Sequence, residues 1–298
     1  MTNDIIIDLL HISKKFGRHT VLDDITYQVY RGSVFALLGE NGAGKTTTIR
    51  TLLGLCEPDS GSRSVLGLDC KHNDLKIRQS VGYVPEQPSL YEWMTSAEIG
   101  RFSASFYPKG YLNRYEHWLK EYDLCPDMKI KALSKGQRAK ISLALALSHD
   151  PELLILDEPT SGLDAMVRRE FLESMVDRAA TGRTVFLSSH QIGEVERVAD
   201  TIAIIKKSKM LLIEPLDSLK SRTHLITITF NDDVSGSACR ALELMEQVIE
   251  QKQDGRELRL LGHGLREDAD RLLRDRVDVA RYEIRTPSLE EIFVCYMK

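Results

Sequence analysis

The chain has 298 residues, and its 40 lysines and arginines against 44 aspartates and glutamates give a formal net charge of −4. This length fits one large domain or two modest ones. The near balance of charge argues against a strongly basic nucleic-acid-binding protein, so no nucleic-acid partner is expected. Hydrophobic residues at 42% and charged residues at 28% indicate a globular protein that can bury a sizeable core.

The sequence shows no secretory signal, because its first residues lack a basic start, a long apolar run and a small-residue cleavage site. The longest apolar stretches, at 34–38 and 143–147, are far shorter than the roughly 18 residues that cross a bilayer. The scattered cysteines have no spacing typical of a zinc site or a disulfide framework: Cys56, Cys70, Cys125, Cys239 and Cys295. We therefore expect a cytoplasmic protein with free thiols.

Short apolar strands alternate with helices through the first two thirds of the chain. Strands are predicted at 34–38, 153–156, 185–187 and 202–205, and helices at 46–55 and 137–148. This alternation predicts an α/β fold with a mainly parallel core sheet. Between about 89 and 150, aromatic and amphipathic segments predict a helical subdomain.

The pattern changes again near residue 218. Strands are predicted at 224–230, 257–261 and 282–285, and helices at 238–251, 268–275 and 287–296. We therefore divide the chain into a first domain at 1–218 and a small C-terminal α/β accessory domain at 219–298, which is large enough for a modest core.

A glycine-rich sequence directly follows the strand at 34–38 and opens the helix after it. It matches G-x-x-x-x-G-K-[ST], in which glycines let backbone N–H groups approach phosphate oxygens and the helix start adds its positive dipole. Lys45 would reach the β- and γ-phosphates of ATP, and the Thr46 hydroxyl would hold Mg²⁺. The residues of this predicted cradle are Gly39, Glu40, Asn41, Gly42, Ala43, Gly44, Lys45, Thr46 and Thr47.

Two adjacent acids end the strand at 153–156, and the carboxyl ends of parallel strands are where open α/β sheets bind ligands. Asp157 is predicted to hold Mg²⁺, directly or through water. Glu158 is predicted to be the general base that polarises the attacking water. Taken alone, such a pair is equally typical of a solvated strand end.

Residues 133–137, Leu-Ser-Lys-Gly-Gln, lie about 20 residues before Asp157 and resemble the signature sequence of ATP-binding-cassette (ABC) ATPases. The resemblance covers about 5–218 and implies a P-loop NTPase with an N-terminal antiparallel β part. It implies that Ser134, Gly136 and Gln137 face ATP held by a second subunit. Lys135 stands where the family usually has glycine, which leaves Ser134 and Gly136 in place.

Further family motifs follow in order. The resemblance identifies Asp164 with the D-loop at the dimer interface, and His190 with the switch histidine that contacts the γ-phosphate and orients Glu158. Phe16 stands where the family stacks an aromatic ring on adenine, the alternative being a core phenylalanine. The Q-loop position falls on Glu86 or Gln87: a glutamine can contact both metal-bound water and phosphate, whereas a carboxylate ligates Mg²⁺ but repels phosphate. Either can fill the role, and Gln87 is kept as a candidate metal ligand.

The resemblance implies an ATPase subunit of an ABC transporter, peripheral on the cytoplasmic face of the cell membrane. Two copies, or one copy and a related subunit, would close on two ATP molecules and act on separate transmembrane permease subunits.

The aromatic segment at 90–94 either borders the groove for such a permease or is buried in the helical subdomain. Export is preferred over import. The alternative is a soluble ABC ATPase acting on ribosomes or DNA, against which the single P-loop and the absence of long heptads argue. The C-terminal domain has either a packing role or a regulatory one.

Overall fold

The computed structural model describes residues 4–231, 247–274, 276 and 278–298, and the chain separates into two units, Met1–Ile213 and Glu214–Lys298. None of the helices in these described ranges has the length and apolar character needed to cross a bilayer. The strands that begin in the first unit are β1 (Ile5–Phe16), β2 (His19–Tyr30), β3 (Val34–Leu38), β4 (Ser60–Val65), β5 (Leu68–Asp69), β6 (Val81–Val84), β7 (Leu153–Asp157), β8 (Thr184–Ser189), β9 (Thr201–Lys206) and β10 (Lys209–Pro215). Its helices are α1 (Lys45–Leu52), α2 (Asp74–Ser80), α3 (Ser96–Ala104), α4 (Tyr111–Glu121), α5 (Lys135–Leu147), α6 (Ala165–Ala180) and α7 (Ile192–Val198).

A six-stranded sheet with the order β10-β9-β3-β8-β7-β6 carries the strands predicted from the sequence. The neighbours from β9 to β6 pair in parallel. Strands β3, β7 and β8 are buried along their whole length, which explains their continuous apolar sequences. The predicted α/β class with a mainly parallel core sheet is therefore confirmed.

An antiparallel sheet, β2-β1-β4-β5, forms the N-terminal β part. Apolar side chains of this sheet and of the six-stranded sheet belong to one core cluster. In that core, the Phe35 ring lies between the rings of Tyr27 and Phe186, with centroid distances of 5.3 and 5.4 Å. This packing joins the two sheets through one stack of aromatic rings.

Helices α3, α4 and α5 share a separate apolar core. Two buried tyrosines of α4 hold its neighbours: the Tyr115 hydroxyl donates to the Ser96 carbonyl at 2.8 Å, and the Tyr111 hydroxyl donates to the Leu145 carbonyl at 2.9 Å. The helical character predicted for this part of the chain is thus present, built around aromatic side chains that are apolar along the ring and polar at the tip.

The second unit contains α8 (Leu216–Arg222), β11 (Thr223–Phe230), β12 (Val248–Asp254), β13 (Glu257–His263), α9 (Leu265–Leu273), β14 (Val279–Arg285) and α10 (Leu289–Met297). Its sheet has the order β12-β13-β11-β14, with antiparallel neighbours. Strands β11 and β12 are both antiparallel to β13, so they run in the same direction. This order is that of the ferredoxin-like split βαβ arrangement.

The helix predicted at 238–251 is wrong where the structure describes it. Its residues 238–246 lie outside the described ranges, whereas residues 248–251 belong to β12 and pair with β13. The missed signal is Gly255-Arg256, the two-residue loop between β12 and β13, because glycine at the first position of such a loop accommodates a positive φ, here 54°. Pairing with β13 therefore overrides the local helical pattern. The helix predicted at 268–275 begins earlier, at Leu265, and ends at Leu273.

Replacing Gly100 by alanine tests the packing of α3 on α4. A Cβ at this position would lie 2.1 Å from two ring atoms of Tyr115, which is fully buried. Although alanine is the better helix former, we expect Gly100→Ala to lower the free energy of unfolding by about 1–3 kcal/mol because the ring must be displaced. Urea denaturation followed by circular dichroism measures the change.

Gly193→Ala is the matched control, because Gly193 also lies in a helix, α7, and a Cβ there would meet no atom within 4 Å beyond its chain neighbours and the backbone of its own helix. This variant should be as stable as the parent or slightly more stable, by roughly 0.5–1 kcal/mol. Equal effects of the two substitutions would contradict the packing described for α3.

Candidate functional site

Three adjacent parallel strands bring the predicted catalytic residues to one edge of the sheet. In the register of β3 and β8, Leu38 is opposite Ser189, and in that of β7 and β8, Asp157 is opposite Ser188. Because these strand ends are level, the segments that follow them meet at the carboxyl edge, the usual ligand site of open α/β sheets. The glycine-rich loop follows β3, Glu158 follows β7 and His190 follows β8.

The glycine-rich loop at 39–44 turns directly into α1, whose first two residues, Lys45 and Thr46, complete the motif. Gly44 caps this helix with a φ of 114°, and a Cβ there would lie 2.6 Å from the Val21 carbonyl oxygen, so the position requires glycine. The Lys45 side chain is 6% exposed, and its ammonium donates to the carbonyls of Gly39 at 2.7 Å and Glu40 at 3.2 Å. The Lys45 ammonium is thereby held against the start of the glycine-rich loop.

Glu158 lies between Lys45 and His190. Its Oε1 is 3.1 Å from the Lys45 Nζ, an ion-pair contact without hydrogen-bond geometry. Its Oε2 is 2.7 Å from the His190 Nδ1 and accepts the His190 backbone N–H at 3.2 Å. Glu158 is buried and has a φ of 48°, in the left-handed region that non-glycine residues seldom adopt. The structure thus brings together the three residues predicted to be catalytic.

Ser188 joins the two acids at the end of β7, a role that the sequence analysis missed. Its hydroxyl donates to the Asp157 Oδ1 at 2.6 Å and accepts the Glu158 backbone N–H at 3.2 Å. All three residues are buried. The sequence offered one signal for this role, a serine near the end of an apolar strand. Only the parallel register of β7 and β8 shows that this serine faces the two acids.

The chemistry of these groups fits a magnesium ion. Asp157 and the Thr46 hydroxyl supply oxygen atoms, which Mg²⁺ prefers, and the buried Glu158 Oε1 has no hydrogen-bond donor. Within the described ranges, no three His, Cys, Asp or Glu side chains converge as an all-protein metal site. Mg²⁺ is usually bound by one or two protein groups together with substrate phosphates.

The predicted signature residues form the start of α5. Ser134 is its N-cap: the Ser134 Oγ accepts the Gln137 backbone N–H at 3.2 Å, and the Gln137 Oε1 accepts the Ser134 N–H at 3.0 Å. Gly136 is buried against Val167 of α6. Ser134 itself is exposed, so its own chain does not prevent it from facing another molecule.

The remaining predicted residues lie on exposed segments. Asp164 is the N-cap of α6, and its Oδ1 accepts the N–H groups of Met166 and Val167 at 3.1 and 3.0 Å. Phe16 ends β1 with 55% of its surface exposed, which excludes a core role for its ring. Glu86 and Gln87 are both exposed after β6, so exposure does not distinguish them.

A second network missed by the sequence analysis supports the segments that follow Glu158 and His190. The Thr160 hydroxyl donates to the Glu194 Oε2 at 2.6 Å, and the Arg168 Nε is 3.0 Å from the Glu194 Oε1. Glu194 lies in the first turn of α7, directly after the segment that carries His190. The network therefore ties α7 to the loop and helix after β7.

The helical subdomain carries an exposed aromatic patch, which we define as Tyr91, Trp93, Phe102 and Phe106. The rings of Tyr91 and Phe102 are 5.4 Å apart, and those of Phe102 and Phe106 are 5.3 Å apart. Trp93 is 66% and Phe106 62% exposed. Within the segment at 90–94, Tyr91 and Trp93 are therefore exposed, whereas Met94 is buried in the core of the subdomain. Contiguous exposed rings of this kind are typical of interaction surfaces.

Comparisons with known proteins agree with this geometry. The family model described as ABC transporter matches residues 22–161. The bacitracin transport ATP-binding protein BcrA of Bacillus licheniformis is 33% identical, over 97% of this chain and 96% of its own length. The linearmycin resistance ATP-binding protein LnrL of Bacillus subtilis is 37% identical over 71% of this chain and 70% of its own.

Among solved structures, one described as the ATP-binding subunit of an ABC transporter superposes with a TM-score of 0.68 at 32% identity, covering 72% of this chain and 92% of its own. Likeness in sequence extends along nearly the whole chain to BcrA, and likeness in fold to this solved structure extends over 72% of the chain. The chain belongs to the ATP-binding proteins of ABC transporters, a family of ATPases.

Proposed function

We propose that this ATPase binds MgATP between two nucleotide-binding subunits and uses hydrolysis to drive export through separate transmembrane permease subunits. The proposal is supported by the positions of the candidate site residues, which lie at two separate places in the first unit. Lys45, Glu158 and His190 meet at the carboxyl edge of the sheet, while Ser134 lies exposed at the start of α5. A second subunit would bring these two places together around one nucleotide.

In the proposed site, the backbone N–H groups of residues 39–47 surround the phosphates, and the Lys45 ammonium moves from its loop carbonyls to the β- and γ-phosphates. Thr46 and Asp157 would hold Mg²⁺, and Gln87 or Glu86 would approach the same group from the loop after β6. When bound, the ion neutralises charge that develops on the phosphates. Phe16, exposed at the end of β1, would stack on adenine.

For hydrolysis, Glu158 would accept the proton of the attacking water as the new P–O bond forms and the bond to the ADP oxygen breaks. His190 holds the Oε2 of Glu158 by two contacts, which fixes the direction of the carboxylate. Departure of the Lys45 ammonium to the phosphates would leave Oε1 free to accept that proton. Glu158 is therefore proposed as the catalytic base, and His190 as the residue that orients it and contacts the γ-phosphate.

The second subunit would supply its Ser134, its Gly136 N–H and the start of α5 to the γ-phosphate, with Asp164 at the shared interface. Gln137 would act through its hydrogen bond to Ser134, because its side-chain oxygen already accepts the Ser134 N–H. The helix start is suited to an anion because its first N–H groups and its dipole point outward.

The aromatic patch would receive the permease, which places the protein at the cytoplasmic face of the cell membrane. Export is favoured because the relatives named for a substrate include proteins of bacitracin transport and linearmycin resistance. Among the residues that the structure describes, no feature favours the alternative, a soluble ABC ATPase acting on ribosomes or DNA.

Glu158→Gln tests the proposed site. The amide keeps the shape of the side chain but cannot take a proton, so ATP should bind while hydrolysis slows by about 10²–10⁴-fold. With MgATP the variant should accumulate as a dimer, measured by light scattering coupled to size-exclusion chromatography.

Glu158→Gln combined with Lys45→Ala is the control, which should neither bind ATP nor dimerise. A Glu158→Gln protein that hydrolyses ATP at the parent rate and stays monomeric would overturn the proposal.

Ser188→Ala tests the support beneath the two acids. Removing the hydroxyl leaves the buried Asp157 Oδ1 without its donor, so we expect a loss of about 1–3 kcal/mol in the free energy of unfolding and a lower kcat. Ser221→Ala, which removes an exposed hydroxyl in the second unit, should change neither quantity. Unchanged stability of Ser188→Ala in urea denaturation would contradict the described hydrogen bonds.

Substitution of the aromatic patch tests the permease interaction. Trp93→Ser combined with Phe106→Ser should leave the ATPase rate of the isolated protein unchanged, because neither ring touches the nucleotide site. The double variant should lose co-purification with membrane fractions of the native host. Recovery of the parent protein with ribosomes rather than membranes would favour the alternative function.

A further inference from the structure

A charged pair joins the aromatic patch to the helix that starts at Ser134. Glu92 lies between Tyr91 and Trp93 in the chain, and its Oε1 accepts a hydrogen bond from the Arg138 Nη1 at 3.0 Å. Arg138 follows the capping box of α5 by one residue. The pair is accessible to solvent, with 64% of the Glu92 side chain and 35% of the Arg138 side chain exposed.

The rest of the Arg138 guanidinium holds the segment that leads into Ser134. Its Nε donates to the Leu133 carbonyl at 3.3 Å, and its Nη2 donates to the Lys131 carbonyl at 3.1 Å. The planar fork of arginine can make these contacts together, which a single lysine ammonium cannot reproduce. One side chain therefore contacts both Glu92 and the two carbonyls before Ser134.

Backbone hydrogen bonds run beside this pair. The Lys131 N–H donates to the Glu92 carbonyl at 3.1 Å, and the Ile130 N–H donates to the Met94 carbonyl at 2.9 Å. The segments at 92–94 and 130–133 thus form a short paired strip, and Arg138 fastens its two sides to α5. If the start of α5 shifts, either Glu92 moves with it or the Arg138 contacts break.

We propose that the Glu92–Arg138 pair couples the nucleotide-bound state of Ser134 to the position of the aromatic patch. The inference rests on the proposed function, because it takes Ser134 to be the group that meets the nucleotide of the second subunit. Closure of the dimer pulls on the start of α5, and Arg138 transmits that shift to Glu92 and its aromatic neighbours. Since coupling between two sites is reciprocal, a partner on the patch would also bias dimer closure. Arg138 and Glu92 are positioning residues, because neither is placed at the reacting atoms.

Trp93 offers a direct signal of this coupling, because the chain has two tryptophans, Trp93 and Trp118. In a Glu158→Gln, Trp118→Phe background, the emission comes from Trp93 alone. Addition of MgATP should shift this emission in step with dimer formation. Trp93→Phe in the same background should remove the signal and thereby assign it.

Glu92→Gln is the decisive variant, since it replaces the charge-assisted contact with Arg138 by at most a weaker neutral hydrogen bond and keeps the Arg138 bonds to the two carbonyls. Dimer formation with MgATP should persist, while the Trp93 response should fall by about half or more. Arg169→Gln is the matched control, because it breaks an exposed ion pair with Glu173 on α6 that does not touch the patch. This control should keep the full response.

A second measurement uses the nucleotide-free monomer and does not depend on dimerisation. Hydrogen exchange at the Lys131 amide, which bonds to Glu92, should accelerate about two- to fivefold in Glu92→Gln and remain unchanged in Arg169→Gln. Unchanged exchange, or an unchanged Trp93 response in a dimer that forms normally, would overturn the coupling. If Glu158→Gln fails to dimerise at all, the proposed function falls, and the exchange measurement still decides whether the pair holds the strip.

Discussion

The contact on which the site depends is that of one buried carboxylate with two basic groups from neighbouring strand ends. Glu158 meets the Lys45 ammonium on one oxygen and His190 on the other. A buried charge without partners is strongly unfavourable, so this arrangement can persist only because the level ends of β3, β7 and β8 supply both partners. The same strand ends contain the left-handed backbone of Glu158 and the Ser188 hydroxyl that donates to Asp157.

The first unit thus separates two kinds of chemistry. The sheet edge gathers groups suited to phosphates and a proton transfer, whereas the helical subdomain presents the capped start of α5 and the aromatic patch. Ser134 caps α5 within its own chain, and in the proposed account its exposed hydroxyl also meets the nucleotide held by a second subunit. In the proposed account, the Arg138 contacts are the physical link by which that encounter reaches the surface where a permease would dock.

The sequence was most informative where a residue type and its local context decide the structure together. The glycine-rich loop and the apolar strands follow from short-range pattern, and the structure places both as predicted. Ser188, Glu194 and Arg138 could not be found in this way, because their partners lie some 30 to 46 residues away. The helix expected at 238–251 failed for a related reason, since β12 is defined by its pairing with β13. Whether Glu86 or Gln87 serves the nucleotide depends on side-chain positions that neither pattern nor exposure distinguishes.

The most direct test of the account is a structure of the Glu158→Gln protein with MgATP. The account predicts a dimer in which the Ser134 hydroxyl of one subunit lies within hydrogen-bond distance, about 2.7–3.2 Å, of the γ-phosphate held by Lys45 of the other. A nucleotide-bound protein in which Ser134 remains turned to solvent, with no second subunit over the phosphates, would contradict it.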